Sequence, residues 1–200
     1  MKIEVIHTDR NQLVETYTSL LGTQSRLLTM VASDEKEVGI DRFKLRYFFS
    51  KGNNQVTVLE VTVPEEDPSY NSLTEILPAA SWYEREAYDL FGLTPVGHHD
   101  LRSLVLHDDF PKGVYPLRKD YSYEQVEPRR EKSNFTYPKV EGEGVFEIPV
   151  GPIHAGIIEP GHFRFQVMGD TIFHLEARLF YTHRGMEKRM EGMGVMEGAL

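Results

Sequence analysis

Between Trp82 and Val105 the chain reads WYEREAYDLFGLTPVGHHDLRSLV, and no other stretch restricts its fold as much. Acids and a base crowd into Glu84–Tyr88, with Trp82, Tyr83, Tyr88 and Phe91 around them. A solvated helix has no need of four rings beside its charges. Part of this ionic set must therefore pair, or lie against a partner, because a buried charge without a partner is costly. A Gly92-Leu93 turn follows, and then His98-His99-Asp100.

The remaining numbers mostly exclude. A chain of 200 residues holds one or two domains, and a hydrophobic fraction of 40% supports a real core. The 22 basic and 31 acidic residues leave a net charge of −9, which argues against a nucleic-acid partner. A basic protein partner remains compatible, since complementary charge steers association. No apolar run is long enough to span a bilayer. The opening MKIEVIHTDR lacks the apolar core of a secretory signal. Without cysteine there is no disulfide and no thiolate for a metal or cluster. No G-x-G-x-x-G or P-loop occurs, so nothing binds NADH or ATP directly.

Apolar spacing predicts a helix over Asn11–Leu21, with Gly22 as its cap. Strands are expected over Ser25–Ala32, Asp41–Phe49 and Gln55–Val63, with a turn at Gly52-Asn53-Asn54 and a switch of face at Leu59. Short helices are expected over Leu73–Leu77 and Trp82–Leu90, separated by Pro78. The fold class is α+β, a helix packed on an antiparallel sheet, over residues 1–120. Residues 121–144 are polar and proline-punctuated and read as a linker or extended arm. Apolar residues return in 145–200, with strands over Phe146–Ile157, Phe163–Val167 and Ile172–Leu179. A helix starts at His183–Glu191.

The spacing E-R-E, two residues, D-L-F, six residues, H, three residues, R, one residue, L-V resembles the signature of the 30 kDa subunit of respiratory complex I. It is carried by Glu84, Arg85, Glu86, Asp89, Leu90, Phe91, His98, Arg102, Leu104 and Val105. Pro116–Asp120, PLRKD, resembles the sequence that closes that domain. The resemblance implies that Glu84, Arg85, Glu86, Asp89, His98 and Arg102 are interface or structural residues. The segment would pack on a neighbouring iron–sulfur subunit. By itself His98-His99-Asp100 also invites a metal or acid–base reading. Arg118 is suited to forking onto a carboxylate across a domain or subunit boundary.

A second segment, GPIHAGIIEPGHFRF at Gly151–Phe165, is followed by Leu175-Glu176 and by HRGMEK at His183–Lys188. It resembles the start of the large subunit of membrane-bound group 4 [NiFe] hydrogenases, including formate hydrogenlyase, and of the related 49 kDa subunit of complex I. Where the complex I pattern has a second His-Gly pair, this chain has Ile158-Glu159-Pro160, which favours the hydrogenase side. Fusion of the two parts is typical of formate hydrogenlyase large subunits. In that family the nickel–iron centre hangs on two cysteine pairs further downstream. The sequence therefore reads as a shortened large subunit. The nickel–iron centre or quinone and the iron–sulfur clusters are expected elsewhere in the full protein or complex.

The resemblance makes Glu159 the proton relay of the full complex. A relay needs a carboxyl in apolar surroundings, so that it both takes and gives a proton. Ile157, Ile158 and Pro160 supply them. The alternative is an exposed turn carboxylate, expected when the rest of the protein is missing. His154 and His162 lie on the same loop-and-strand hairpin, near the metal centre or proton path in the hydrogenase branch and facing quinone in the other. A metal site of His154, Glu159 and His162 is not expected, because a Pro- and Gly-rich turn holds ligands loosely. His183, Arg184, Glu187 and Lys188 open the last helix as a solvated start or a charged patch near the active cavity.

The expectation is a subunit of a complex I-like or group 4 hydrogenase assembly, peripheral on the cytoplasmic side of the inner membrane. Its partners would be the iron–sulfur small subunit and other subunits, with homodimerisation through exposed strands possible. The isolated chain is expected to be inactive. The competing reading is a non-catalytic assembly scaffold that lacks the metal domain by nature.

Overall fold

The computed structural model describes residues 2–39, 43–52, 54–107, 110–122, 138–154 and 156–199. Most of the expected arm, residues 123–137, lies outside them. The chain divides into two compact units. The first comprises Met1–Ser103 and Lys112–Glu127, the second Leu104–Pro111 and Pro128–Leu200.

The first unit is built on a four-stranded sheet of β1 (Lys2–Thr8), β2 (Arg26–Asp34), β3 (Phe43–Ser50) and β4 (Gln55–Val63), in the order β1-β4-β3-β2. The β2–β3 and β3–β4 pairs are antiparallel, but β1 joins β4 in parallel. The sheet is therefore mixed, a correction to the expected antiparallel layer. The charges at Lys2, Glu4 and His7 hid β1, an edge strand with mostly exposed side chains.

In β3 and β4 the alternation decides the core. Phe43, Leu45, Tyr47 and Phe49 pair with Val63, Val61, Leu59 and Thr57, and all of these side chains are buried on one face. No face switch occurs at Leu59. Pairing without a bulge keeps it in phase with Val61 and Val63. On this face lie Leu13 and Tyr17 of helix α1 (Leu13–Leu20) and Ala87, Leu90 and Phe91 of helix α2 (Ser81–Phe91). The Tyr17 and Phe49 rings are 5.3 Å apart. Gly22 takes the left-handed φ of 51° just beyond α1, as its capping role requires. The opposite face carries an ion network, with Lys44 Nζ and Arg46 Nε each 2.7 Å from the Glu60 carboxylate and Arg46 Nη2 2.6 Å from Glu35.

Leu73–Leu77 is not a helix. It is one turn, with the Ile76 and Leu77 amides donating to the Leu73 carbonyl before Pro78 interrupts. It follows β5 (Ser69–Asn71), which pairs in parallel with β6 (Thr94–Val96).

The second unit carries an antiparallel sheet of β7 (Phe146–Val150), β8 (His162–Met168) and β9 (Thr171–Arg178), in chain order. The expected strand over Phe146–Ile157 ends at Val150, because Gly151-Pro152 cannot continue a ladder. Two short helices follow, α3 (Met186–Arg189) and α4 (Val195–Gly198), and α3 is shorter than the helix expected over His183–Glu191.

Candidate functional site

Helix α2 positions most of the signature residues, and they point in different directions. Glu84 faces inward and is fully buried. Four donors converge on its carboxylate. These are the Ser72 hydroxyl at 2.5 Å, the Leu73 amide at 2.9 Å, the Thr74 hydroxyl at 3.0 Å and the Tyr47 hydroxyl at 3.1 Å. One helical side chain thereby ties the turn after β5 to strand β3. Burial pushes the Tyr47 and Tyr70 phenols well above the ordinary tyrosine range, and the nearby carboxylate adds to it. Both remain protonated, so Tyr47 stays a donor. Ser72, Thr74 and Tyr47 were not singled out in the sequence. Their only local trace is a pair of hydroxyls two positions apart.

Arg85 holds the loop beyond β6. Its Nε donates to the Arg102 carbonyl at 2.8 Å and its Nη2 to the Ser103 carbonyl at 3.2 Å, with Nη1 3.8 Å from Asp100. Asp100 is gripped by Arg102 through a two-pronged contact, both distances 2.8 Å, and accepts the Arg102 amide at 3.0 Å. Within the His98-His99-Asp100 run the Asp100 carboxylate is thus taken up by Arg102. His98 fixes the other end of the loop. Its Nδ1 accepts the Asp100 amide at 3.0 Å, which places the ring proton on Nε2, 3.1 Å from the Ser81 hydroxyl at the start of α2. The His98 and His99 rings stack 5.2 Å apart. Asp89 is buried, Glu86 half-buried, and Arg102 exposed at the rim of the loop.

At the other end of α2, Gly92 has a φ of 71°, and a Cβ there would lie 2.5 Å from the Tyr115 ring. The PLRKD segment closes this end. The Leu117 amide donates to Leu90 at 3.1 Å and Arg118 Nε donates to the Phe91 carbonyl at 2.7 Å. Leu117 and Arg118 thus each satisfy one orphan carbonyl of the helix, while the Arg118 guanidinium lies over Phe43 and Tyr115.

Two predictions arise here. The Arg102 hydrogen bond, with Arg85 nearby, holds the Asp100 carboxyl well below the usual carboxylate range despite partial burial. A depressed folded value stabilises the loop fully above the ordinary aspartate value of about 3.9, and this stability is lost progressively as pH falls from there through the lower folded value. Carboxyl NMR should show Asp100 titrating below that value, and Arg102→Ala should return it upward. Arg85→Ala should free the loop and destabilise the first unit by about 1–3 kcal/mol, since two partly buried carbonyls lose their donor. Denaturation and amide exchange at 100–103 check this.

In the second unit, Glu159 is exposed in the loop between β7 and β8. His162, at the start of β8, places Nδ1 2.8 Å from the Gly151 carbonyl, so that nitrogen carries a proton. His154 is half-buried, and among the described residues its Nε2 has no hydrogen-bond partner. The described residues bring together no group of three metal-ligating side chains. His183 approaches Glu187 at 3.9 Å, and Lys188 pairs with Glu191 at 2.9 Å.

The fold agrees with comparison to known proteins. Residues 6–127 match the family described as respiratory-chain NADH dehydrogenase, 30 Kd subunit. The chain belongs to that family. It is 38% identical over 186 residues to formate hydrogenlyase subunit 5 of Escherichia coli, covering 90% of this chain and 33% of that protein. It is 46% identical over 136 residues to hydrogenase-4 component G of the same organism, covering 67% of this chain and 24% of that protein. The first match runs well past residue 127, so the second segment shares the likeness. The chain spans a third or less of these relatives. A chain of the membrane-bound sulfane sulfur reductase, an archaeal respiratory membrane complex, has a similar fold. Its TM-score is 0.51 at 19% identity, over 68% of this chain and 86% of that one.

Proposed function

We propose that this chain is the N-terminal part of the large subunit of a group 4 hydrogenase-type, complex I-like electron-transfer complex, peripheral to the membrane. The observation that carries this is the loop of residues 98–103. Arg85 and His98 fix it rigidly to α2, and it presents Arg102 outward at the family's own signature positions. A rigid surface loop anchored by buried side chains suits docking onto a neighbouring subunit. The iron–sulfur subunit is the partner assigned to it. The likeness to formate hydrogenlyase subunit 5 and the EPG sequence at Glu159–Gly161 favour the hydrogenase branch over the quinone branch. Among the described residues no helix is long and apolar enough to cross a membrane.

A nickel–iron centre does not fit the residues of this chain. Such a centre is held by thiolates, and the sequence contains no cysteine. The part assigned to this chain is proton traffic toward such a centre, with Glu159 as relay and His154 and His162 beside it on the same hairpin.

The test is isolation of the tagged chain from solubilised membranes of its host. Co-purification with a cysteine-rich iron–sulfur protein is expected, and Arg85→Ala should reduce it strongly. Recovery of the wild-type chain alone would sink the reading.

A further inference from the structure

The segment Leu104–Pro111 belongs to the second unit and brings His107 to the end of β9. His107 Nε2 donates to the Leu179 carbonyl at 2.8 Å, across 72 positions of sequence. A carbonyl only accepts, so Nε2 carries the proton. The His107 and Tyr181 rings meet edge to face with 4.4 Å between their centres. His107 therefore grips the chain on both sides of Phe180. Phe180 has a φ of 63°, a left-handed conformation that a bulky residue rarely adopts. Such a residue persists only where its surroundings fix it. Just beyond, the His183 amide donates to the Phe180 carbonyl at 3.0 Å and closes the turn that leads toward α3. Leu179 links this turn to the loop between β7 and β8. A Cβ on Gly161 would lie 3.2 Å from Leu179 Cδ2, so the leucine side chain packs directly against Gly161. Gly161 is two residues from Glu159.

We infer that His107 is a positioning residue for the Glu159 loop. It fixes the Leu179 carbonyl and the left-handed turn at Phe180, and Leu179 backs the loop at Gly161. The inference rests on the proton-relay role proposed for Glu159. His107 acts through Leu179 rather than on the proton itself. Three variants separate its donor from its ring. His107→Ala loses both. His107→Phe keeps a ring against Tyr181 but has no donor. His107→Gln keeps an N–H near the place of Nε2.

Amide exchange on the full 200-residue chain reads the turn directly. His107→Ala and His107→Phe should each speed exchange of the His183 amide about tenfold, and His107→Gln should restore most of the protection. Protected amides of the β8–β9 ladder report that each variant folds, and either donorless variant decides if the other does not fold. Unchanged His183 exchange overturns the proposal, and so does a Gln variant no better protected than the Phe variant. In the complete complex, His107→Phe should lower proton-coupled turnover about tenfold or more with assembly normal, since a misplacement of about 1 Å costs up to about 10²-fold. Added to Glu159→Gln it should lower turnover no further, because a relay that is absent cannot be misplaced. Multiplying effects would place the action of His107 elsewhere and overturn the proposal. Wild-type turnover by His107→Phe beside a slow Glu159→Gln would overturn it as well. Wild-type turnover by Glu159→Gln itself would instead remove the relay, while faster His183 exchange would still establish the clamp on the turn.

Discussion

Replacing Glu84 by alanine should cost the first unit about 4–6 kcal/mol. The arithmetic follows from the four donors on its carboxylate. A buried donor left without an acceptor costs about 1–3 kcal/mol, and the hydroxyls of Ser72 and Thr74 recover part of this by rotating. The Leu73 amide cannot rotate, and truncation leaves a void beside it. Since a domain's whole stability is about 5–15 kcal/mol, this variant should be largely unfolded or recovered with difficulty. Glu84→Gln keeps the volume but turns one acceptor into a donor that faces other donors, for a loss of about 1–3 kcal/mol. Tyr47→Phe removes a single hydrogen bond, worth about 0.5–1.5 kcal/mol. The single tryptophan, Trp82, lies on α2 and reports this unit directly in urea denaturation. If Glu84→Ala shifted the midpoint no more than Tyr47→Phe, the carboxylate would not be the organising group described here.

The second large effect concerns chemistry rather than folding. In the complete complex, Glu159→Gln should lower proton-coupled turnover about 10²–10⁴-fold, the usual worth of a positioned proton-transfer group. Assembly and metal content should be unchanged, because Glu159 is exposed in its loop and supports no packing in this chain. Its neighbours Ile157 and Ile158 are also exposed, so an apolar environment for the carboxyl must come from what covers the loop. Glu159→Asp keeps the carboxyl one methylene short and should retain a fraction of the rate. This phenotype is the reverse of Arg85→Ala, which should impair assembly and leave the chemistry of assembled complexes intact. Wild-type turnover by assembled Glu159→Gln complexes would remove the relay role and leave a surface carboxylate.

Much of the architecture was legible in the residues. The periods in Asn11–Leu21, Asp41–Phe49 and Gln55–Val63 carried the helix and strands, because an element that buries one face must repeat its apolar residues at its own spacing. The signature around Glu84–Val105 carried the family. What stayed hidden depends on contacts distant in sequence. Strand β1 lacks a strong period, and its pairing with β4 places it. The turn at Leu73–Leu77 has helical composition, but Pro78 stops it after one hydrogen-bonded turn.

For the charges, the sequence alone determined that those between Glu84 and Asp89 could not all be solvated, since rings surround them. Only the tertiary structure decided their fates, because burial and hydrogen bonding depend on groups far apart along the chain. Glu84 meets Tyr47 from 37 residues away and becomes a buried acceptor. Arg85, one residue on, points elsewhere and binds the loop carbonyls of Arg102 and Ser103. Successive helical positions differ in direction by about 100°, so two adjacent charges in one motif end in different environments. The same holds for Arg118, which suits a carboxylate by its chemistry and here also closes the end of α2, because the chain brings it back to the Phe91 carbonyl.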